Sequence, residues 1–100
     1  MGRQAEAREQ YRLAAEGVNR YAESLIQQGR LKEARAQYEE SIRLIPDNAE
    51  GHCAYGKFLM RQGEPEQAAV HFQQALRIRP DDSAAQSGLR ECERLISPRK

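Results

Sequence analysis

Four residues of this 100-residue chain could do metal or thiol chemistry: His52, Cys53, His71 and Cys92. A structural zinc site takes four ligands, supplied by closely spaced pairs such as CxxC or HxxxH. Here His52 and Cys53 are adjacent, and neighbours on a helix point about 100° apart. They cannot readily share a metal, and His52 reads instead as a packed helical histidine. Cys53 is the one candidate nucleophile, yet no Ser/His/Asp or Cys/His/Asn arrangement accompanies it. The carboxylate pairs Glu39-Glu40 and Asp81-Asp82 read as solvated faces and helix caps. Neither GxGxxG nor GxxxxGK[ST] occurs, so no loop is built to cradle phosphates. The expectation is no catalytic residue, no metal and no cofactor.

Composition narrows the classes further. Charged residues make up 31% of the chain, 16 basic against 15 acidic, for a formal charge of +1. Mean hydropathy is -0.89. So polar a chain must bury its apolar residues economically, as amphipathic helices do. The balance of charge argues against nucleic acid, which calls for a basic patch. Lysines and arginines alternate with glutamates at helical spacing, as in Arg12/Glu16/Arg20, and so suit pairing along a helix. No apolar run approaches the about 18 residues of a membrane span. The start, MGRQAEAREQ, has no apolar stretch of a secretory signal, and Glu6 breaks the myristoylation pattern. Two thiols make no disulfide framework, so the expected compartment is a reducing cytoplasm.

The elements that must position these residues are helices. Ala, Glu, Gln, Arg, Leu and Lys dominate, all good helix formers, and no stretch alternates at period two. Residues 15–48 and 49–82 align without a gap over 34 positions. Eleven are identical: Ala15/Ala49, Glu16/Glu50, Gly17/Gly51, Tyr21/Tyr55, Leu25/Leu59, Gln28/Gln62, Gly29/Gly63, Ala34/Ala68, Arg43/Arg77, Pro46/Pro80 and Asp47/Asp81. Unrelated segments would share about two. Each repeat encodes a helix, a glycine turn at Gly29 or Gly63, a second helix, and a proline stop at Pro46 or Pro80. Asp47-Asn48 and Asp81-Asp82 then offer caps for the next helix. Small residues (Ala22/Gly56, Ala34/Ala68, Ser41/Ala75) recur where two helices must approach closely.

This pattern resembles the tetratricopeptide repeat, a helix–turn–helix unit of about 34 residues. The resemblance rests on Val18, Tyr21, Ala22, Leu25, Ala34, Tyr38, Ser41 and Pro46. The second repeat supplies His52, Tyr55, Gly56, Leu59, Ala68, Phe72, Ala75 and Pro80. His52 alone departs, where Trp or Leu is common. The resemblance implies an all-α fold, a right-handed superhelix of antiparallel helix pairs with about five helices. The expected organisation is an N-terminal helical extension over 1–14 and repeats over 15–48 and 49–82. A capping helix over 83–96 and coil over 97–100 complete it. One continuous helix is expected from about residue 3 to 28. Its stripe of Ala7, Tyr11, Ala14, Val18, Tyr21 and Leu25 either covers the end of the stack or meets another chain. In the last helix, Glu93 stands where a further repeat would place a core residue, as befits a stack's end.

For function, the resemblance implies protein–protein interaction through a concave groove lined by the first helices. Carried over position by position, the groove residues are Asn19, Arg20, Glu23, Gln27, Glu50, Cys53, Ala54, Lys57, Arg61, Ser87 and Glu91. Glu16, Ile26 and Met60 share the same inner positions. Arg20, Lys57 and Arg61 beside Glu16, Glu23 and Glu50 suggest a ligand of mixed charge. Chaperone-binding relatives use a two-carboxylate clamp of Lys, Asn and Arg. The corresponding positions here are Asn19, Glu23, Ala54, Ala84 and Gly88, so that subclass is not expected. The expected partner is a protein or peptide, with homodimerisation as the alternative and a Cys53-dependent enzyme as the remote third.

Overall fold

A computed structural model describes residues 19–96. The expected extension over 1–14, the start of the long first helix and the terminal coil lie outside the described residues. Within them the chain is all-α: residues 19–27 (α1), Leu31–Leu44 (α2), Ala49–Arg61 (α3), Pro65–Ile78 (α4) and Ser83–Ile96 (α5), with no strand. No described helix is long and apolar enough to cross a membrane. The chain divides into two compact units, with the boundary between Asn48 and Ala49 in sequence.

In the first unit, α1 ends in a turn that the backbone closes twice. The Gly29 N–H donates to Ile26 O at 3.0 Å, and the Arg30 N–H donates to Leu25 O at 2.8 Å. This is the Schellman arrangement, which needs a left-handed residue one position past the helix. Gly29 supplies it with φ of +78°, while a Cβ there would meet nothing within 4 Å. Glycine is therefore present for its backbone and not for space. Arg30 caps α2 with no side-chain hydrogen bond to the backbone; its guanidinium instead grips Glu33 at 3.0 and 2.7 Å. Ala34, Tyr38 and Ser41 bury one stripe of α2, spaced 4 and 3 as a helix face requires. On α1, Ala22 and Leu25 are buried.

One expected core position does not hold. Tyr21 is 52% exposed, whereas its counterpart Tyr55 is 5% exposed. Tyr55 lies against aromatic neighbours, its ring 4.5 Å from His71 and 6.3 Å from Phe58 between centroids. The first repeat has Gln37 and Ser24 at those two positions. The tyrosine is shared by both repeats, and the rings that shelter it are not.

The second unit is a three-helix layer, with α4 packed on both α3 and α5. The same glycine turn joins α3 to α4. The Gly63 N–H donates to Met60 O at 3.1 Å, the Glu64 N–H donates to Leu59 O at 2.9 Å, and φ at Gly63 is +76°. Pro65 opens α4 at its first turn, where a missing N–H is not needed. The Phe72 ring, 1% exposed, fills the space above two glycines on different helices, Gly56 of α3 and Gly88 of α5. A Cβ at Gly56 would lie 2.8 Å from Phe72 Cζ, and one at Gly88 would lie 2.5 Å from it. Phe58, Leu59, Ala68, Ala75, Ala85 and Cys92 complete the core. Fully burying a side chain of Phe or Leu size contributes about 1.5–3 kcal/mol.

Helix α5 starts at a side-chain cap, because Asp82 Oδ1 accepts from the Ala85 N–H at 3.2 Å. It satisfies one of the donors that a helix start leaves free. The buried stripe of α5 is Ala85 and Cys92, flanked by half-buried Gly88 and Leu89. Arg90, Glu91, Glu93 and Arg94 face solvent.

Candidate functional site

The two histidines meet. His52 Nδ1 on α3 lies 3.3 Å from His71 Nδ1 on α4. The ring centroids are 5.5 Å apart and the planes differ by 23°. That separation exceeds the nitrogen gap by about two ring radii, so the near-coplanar rings meet edge to edge with the nitrogens between them. A hydrogen bond at this distance requires one Nδ1 to bear a hydrogen and the other to accept it, which the ring tautomers decide. His52 is 6% exposed, consistent with the packed histidine expected. Among the described residues no three His, Cys, Asp or Glu side chains form a group that could hold a metal ion.

The two thiols are sequestered. Cys53 is buried, and its Sγ donates to Asp82 Oδ2 at 3.8 Å. Burial first, and the Asp82 carboxylate second, push the Cys53 thiol up to about 11, with Lys57 pulling the other way. Reactive cysteines have lowered values and open access; this one has neither at neutral pH. Cys92 is buried with its Sγ 3.3 Å from Met60 Sδ, and burial raises its thiol too. Both cysteines are free of disulfides.

The groove residues expected from sequence fall into two sets, one in each unit. On α1, Arg20, Glu23 and Gln27 are exposed and Asn19 is half-buried. In the second unit, Lys57 and Arg61 are exposed on α3, and Ser87 and Glu91 are exposed on α5. Ala54 and Glu50 are half-buried. Cys53 offers almost no surface, being committed to Asp82. Glu50 has a partner that sequence reasoning passed over: its Oε1 lies 3.8 Å from Arg79 Nη1. Arg79 occupies the position that Ile45 holds in the first repeat, so the change from apolar to cationic was visible in the alignment. Glu91 is gripped by Arg94 one turn on. Asp82 was expected to cap α5, and it also fixes Cys53.

The same glycine turn joins two helices in each unit, the pattern of a helical-repeat protein. A family model described as a TPR repeat matches residues 22–63, and one described as a tetratricopeptide repeat matches residues 49–82. The chain belongs to the tetratricopeptide repeat family, whose repeats generally mediate protein–protein interaction. No curated protein matches the chain closely enough to count as a relative.

Proposed function

We propose that this protein is a non-enzymatic adaptor that holds a peptide or partner segment on the inner face of its second unit. The carrying observation is that Lys57, Arg61, Ser87 and Glu91 project from a packed frame while the thiols beneath are inaccessible. Interaction sites commonly combine such a rigid frame with a few exposed polar groups. Asn19, Arg20, Glu23 and Gln27 are proposed contact residues of the first unit, to be tested on their own helix. A carboxylate clamp of the chaperone-binding kind is not part of this reading, since its residues are missing.

The test is chemical-shift mapping with a peptide selected from a random library. Perturbation of the Ala54, Lys57, Arg61, Ser87 and Glu91 amides is the expected result. Perturbation confined to Val70, Gln73 and Arg77 on exposed positions of α4 would place binding elsewhere and defeat the reading. Self-association is the second reading. It is supported by exposed apolar residues, Leu95 at 42% and Ile96 at 37%, side by side at the end of α5. Sedimentation equilibrium tests it: a concentration-dependent dimer abolished by Leu95→Glu supports it, and a monomer at high concentration removes it.

A further inference from the structure

From the charges that the second unit leaves unspent, we infer that the segment it binds is acidic; this rests on the adaptor reading above. Five charged side chains besides the cap lie on the inner positions of α3 and α5: Glu50, Lys57, Arg61, Glu91 and Arg94. By type these are three cations and two carboxylates, a mixture of signs like the one that suggests a mixed-charge ligand from Arg20, Lys57 and Arg61 beside Glu16, Glu23 and Glu50. The side-chain geometry divides them differently. Both carboxylates are engaged, Glu50 by Arg79 at 3.8 Å and Glu91 by Arg94 through two hydrogen bonds. Asp82, at the start of α5, is spent on the α5 N-terminus and on Cys53, and Glu93 lies off the inner positions beside Cys92. Lys57 and Arg61 are exposed and take part in no ion pair among the described residues.

The two cations sit four residues apart on α3, so they project from one side about 6 Å apart along the axis. Met60 lies between them in sequence. Its sulfur rests on Cys92 of α5, so the cations border the line along which α3 meets α5. Ala54 and Met60 are half-buried there and Leu95 of α5 is exposed, which gives apolar surface beside the charge. Two carboxylates about one helical turn apart, with an apolar side chain near them, match this arrangement. A phosphate backbone matches it poorly, because nucleic-acid surfaces neutralise many phosphates, and on these inner positions of the described residues two cations stand outside ion pairs. Electrostatic complementarity of this kind sets which partner binds and how fast it arrives.

The experiment selects short random peptides against the wild-type chain and against Lys57→Glu/Arg61→Glu. Both positions are exposed, so the double variant keeps its helical circular dichroism. The expected result is a wild-type pool enriched in Asp and Glu. A representative Glu-rich peptide should bind the double variant about ten-fold more weakly, and binding should weaken as salt rises. A wild-type pool that perturbs the same α3 and α5 amides without acidic enrichment would overturn this inference and leave the adaptor reading standing. Acidic peptides that bind the double variant as tightly would also overturn it. Selected peptides that perturb only α4 would sink both. A single-stranded thymidine oligonucleotide bound more tightly than the Glu-rich peptide, and released by the double substitution, would replace the acidic peptide with nucleic acid.

Discussion

Phe72 occupies the place that a side chain on Gly88 would need. The ring belongs to α4 and the glycine to α5, and a Cβ added at Gly88 would sit 2.5 Å from Phe72 Cζ. Phe72 is 1% exposed, so its ring has nowhere to withdraw. The missing side chain is what lets α5 seat against the layer.

Gly88→Ala is therefore expected to destabilise the protein by about 1–2 kcal/mol. Overpacking a tight contact costs about 1–3 kcal/mol, and exchanging Gly for Ala inside a helix returns up to about 1 kcal/mol. Gly56→Ala, where the Cβ would have slightly more room, should cost less. Urea unfolding measures both. Phe72→Leu should remove most of the Gly88→Ala penalty in a double-mutant cycle; purely additive effects would show that the ring is not the obstacle.

Gly63→Ala and Gly29→Ala should cost a similar amount for a different reason. Nothing lies within 4 Å of either added Cβ, but φ of +76° and +78° places an L-residue in the left-handed region, at about 1–2 kcal/mol. Asn tolerates that region better than Ala, so Gly63→Asn should be the milder change. Phe72→Leu should give no rescue here. If it does, the conformational explanation is wrong.

Asp82→Ala should have two separable effects. It removes the cap of α5, at about 1 kcal/mol. It also removes a carboxylate that raises the Cys53 thiol, so thiolate absorbance should appear at lower pH than in the wild type. Asp82→Asn retains a capping side chain without the charge. It should shift the thiol titration while sparing much of the stability, and equal losses of stability in the two variants would contradict the cap.

Alkaline pH should weaken the fold through Cys53. Its thiol is raised in the folded state from an ordinary value near 9 to about 11. The folded chain thus holds a proton that the unfolded chain gives up. The stabilising effect is complete below pH about 9 and is lost as pH rises towards about 11. At most about 3 kcal/mol is at stake. Thermal melts of wild type and Cys53→Ala across this range should converge as pH rises. A constant difference between them would show that the thiol does not titrate with folding.

The repeat, the helices and both glycine turns could be read from the chain because they depend on local chemistry. Gly29 and Gly63 encode a backbone angle, and Pro46 and Pro80 encode a stop. Tyr21 and Tyr55 show where that ends. They are the same residue at the same repeat position, yet their exposure differs because their neighbours Ser24/Phe58 and Gln37/His71 differ. Cys53 was placed on an inner face by its position in the repeat. The structure shows it facing Asp82, a contact across 29 positions of sequence. Likewise the fold brings Arg79 beside Glu50, a pairing that helical spacing does not indicate. Helical period assigns a residue to a side of its helix; which side chain already stands there is a tertiary matter.

The imidazole pair has a consequence for descent. His52 and His71 stand where the first repeat has Val18 and Gln37, and their Nδ1 atoms lie 3.3 Å apart, within hydrogen-bond reach. Duplicating the whole second repeat would copy both members of that pair. A crossover between its two helices would split them, putting one imidazole opposite the amide or aliphatic group of the other lineage. Although the glycine turns are alike in both repeats, the permissible joints in this chain fall between whole repeats and not at the turns within them.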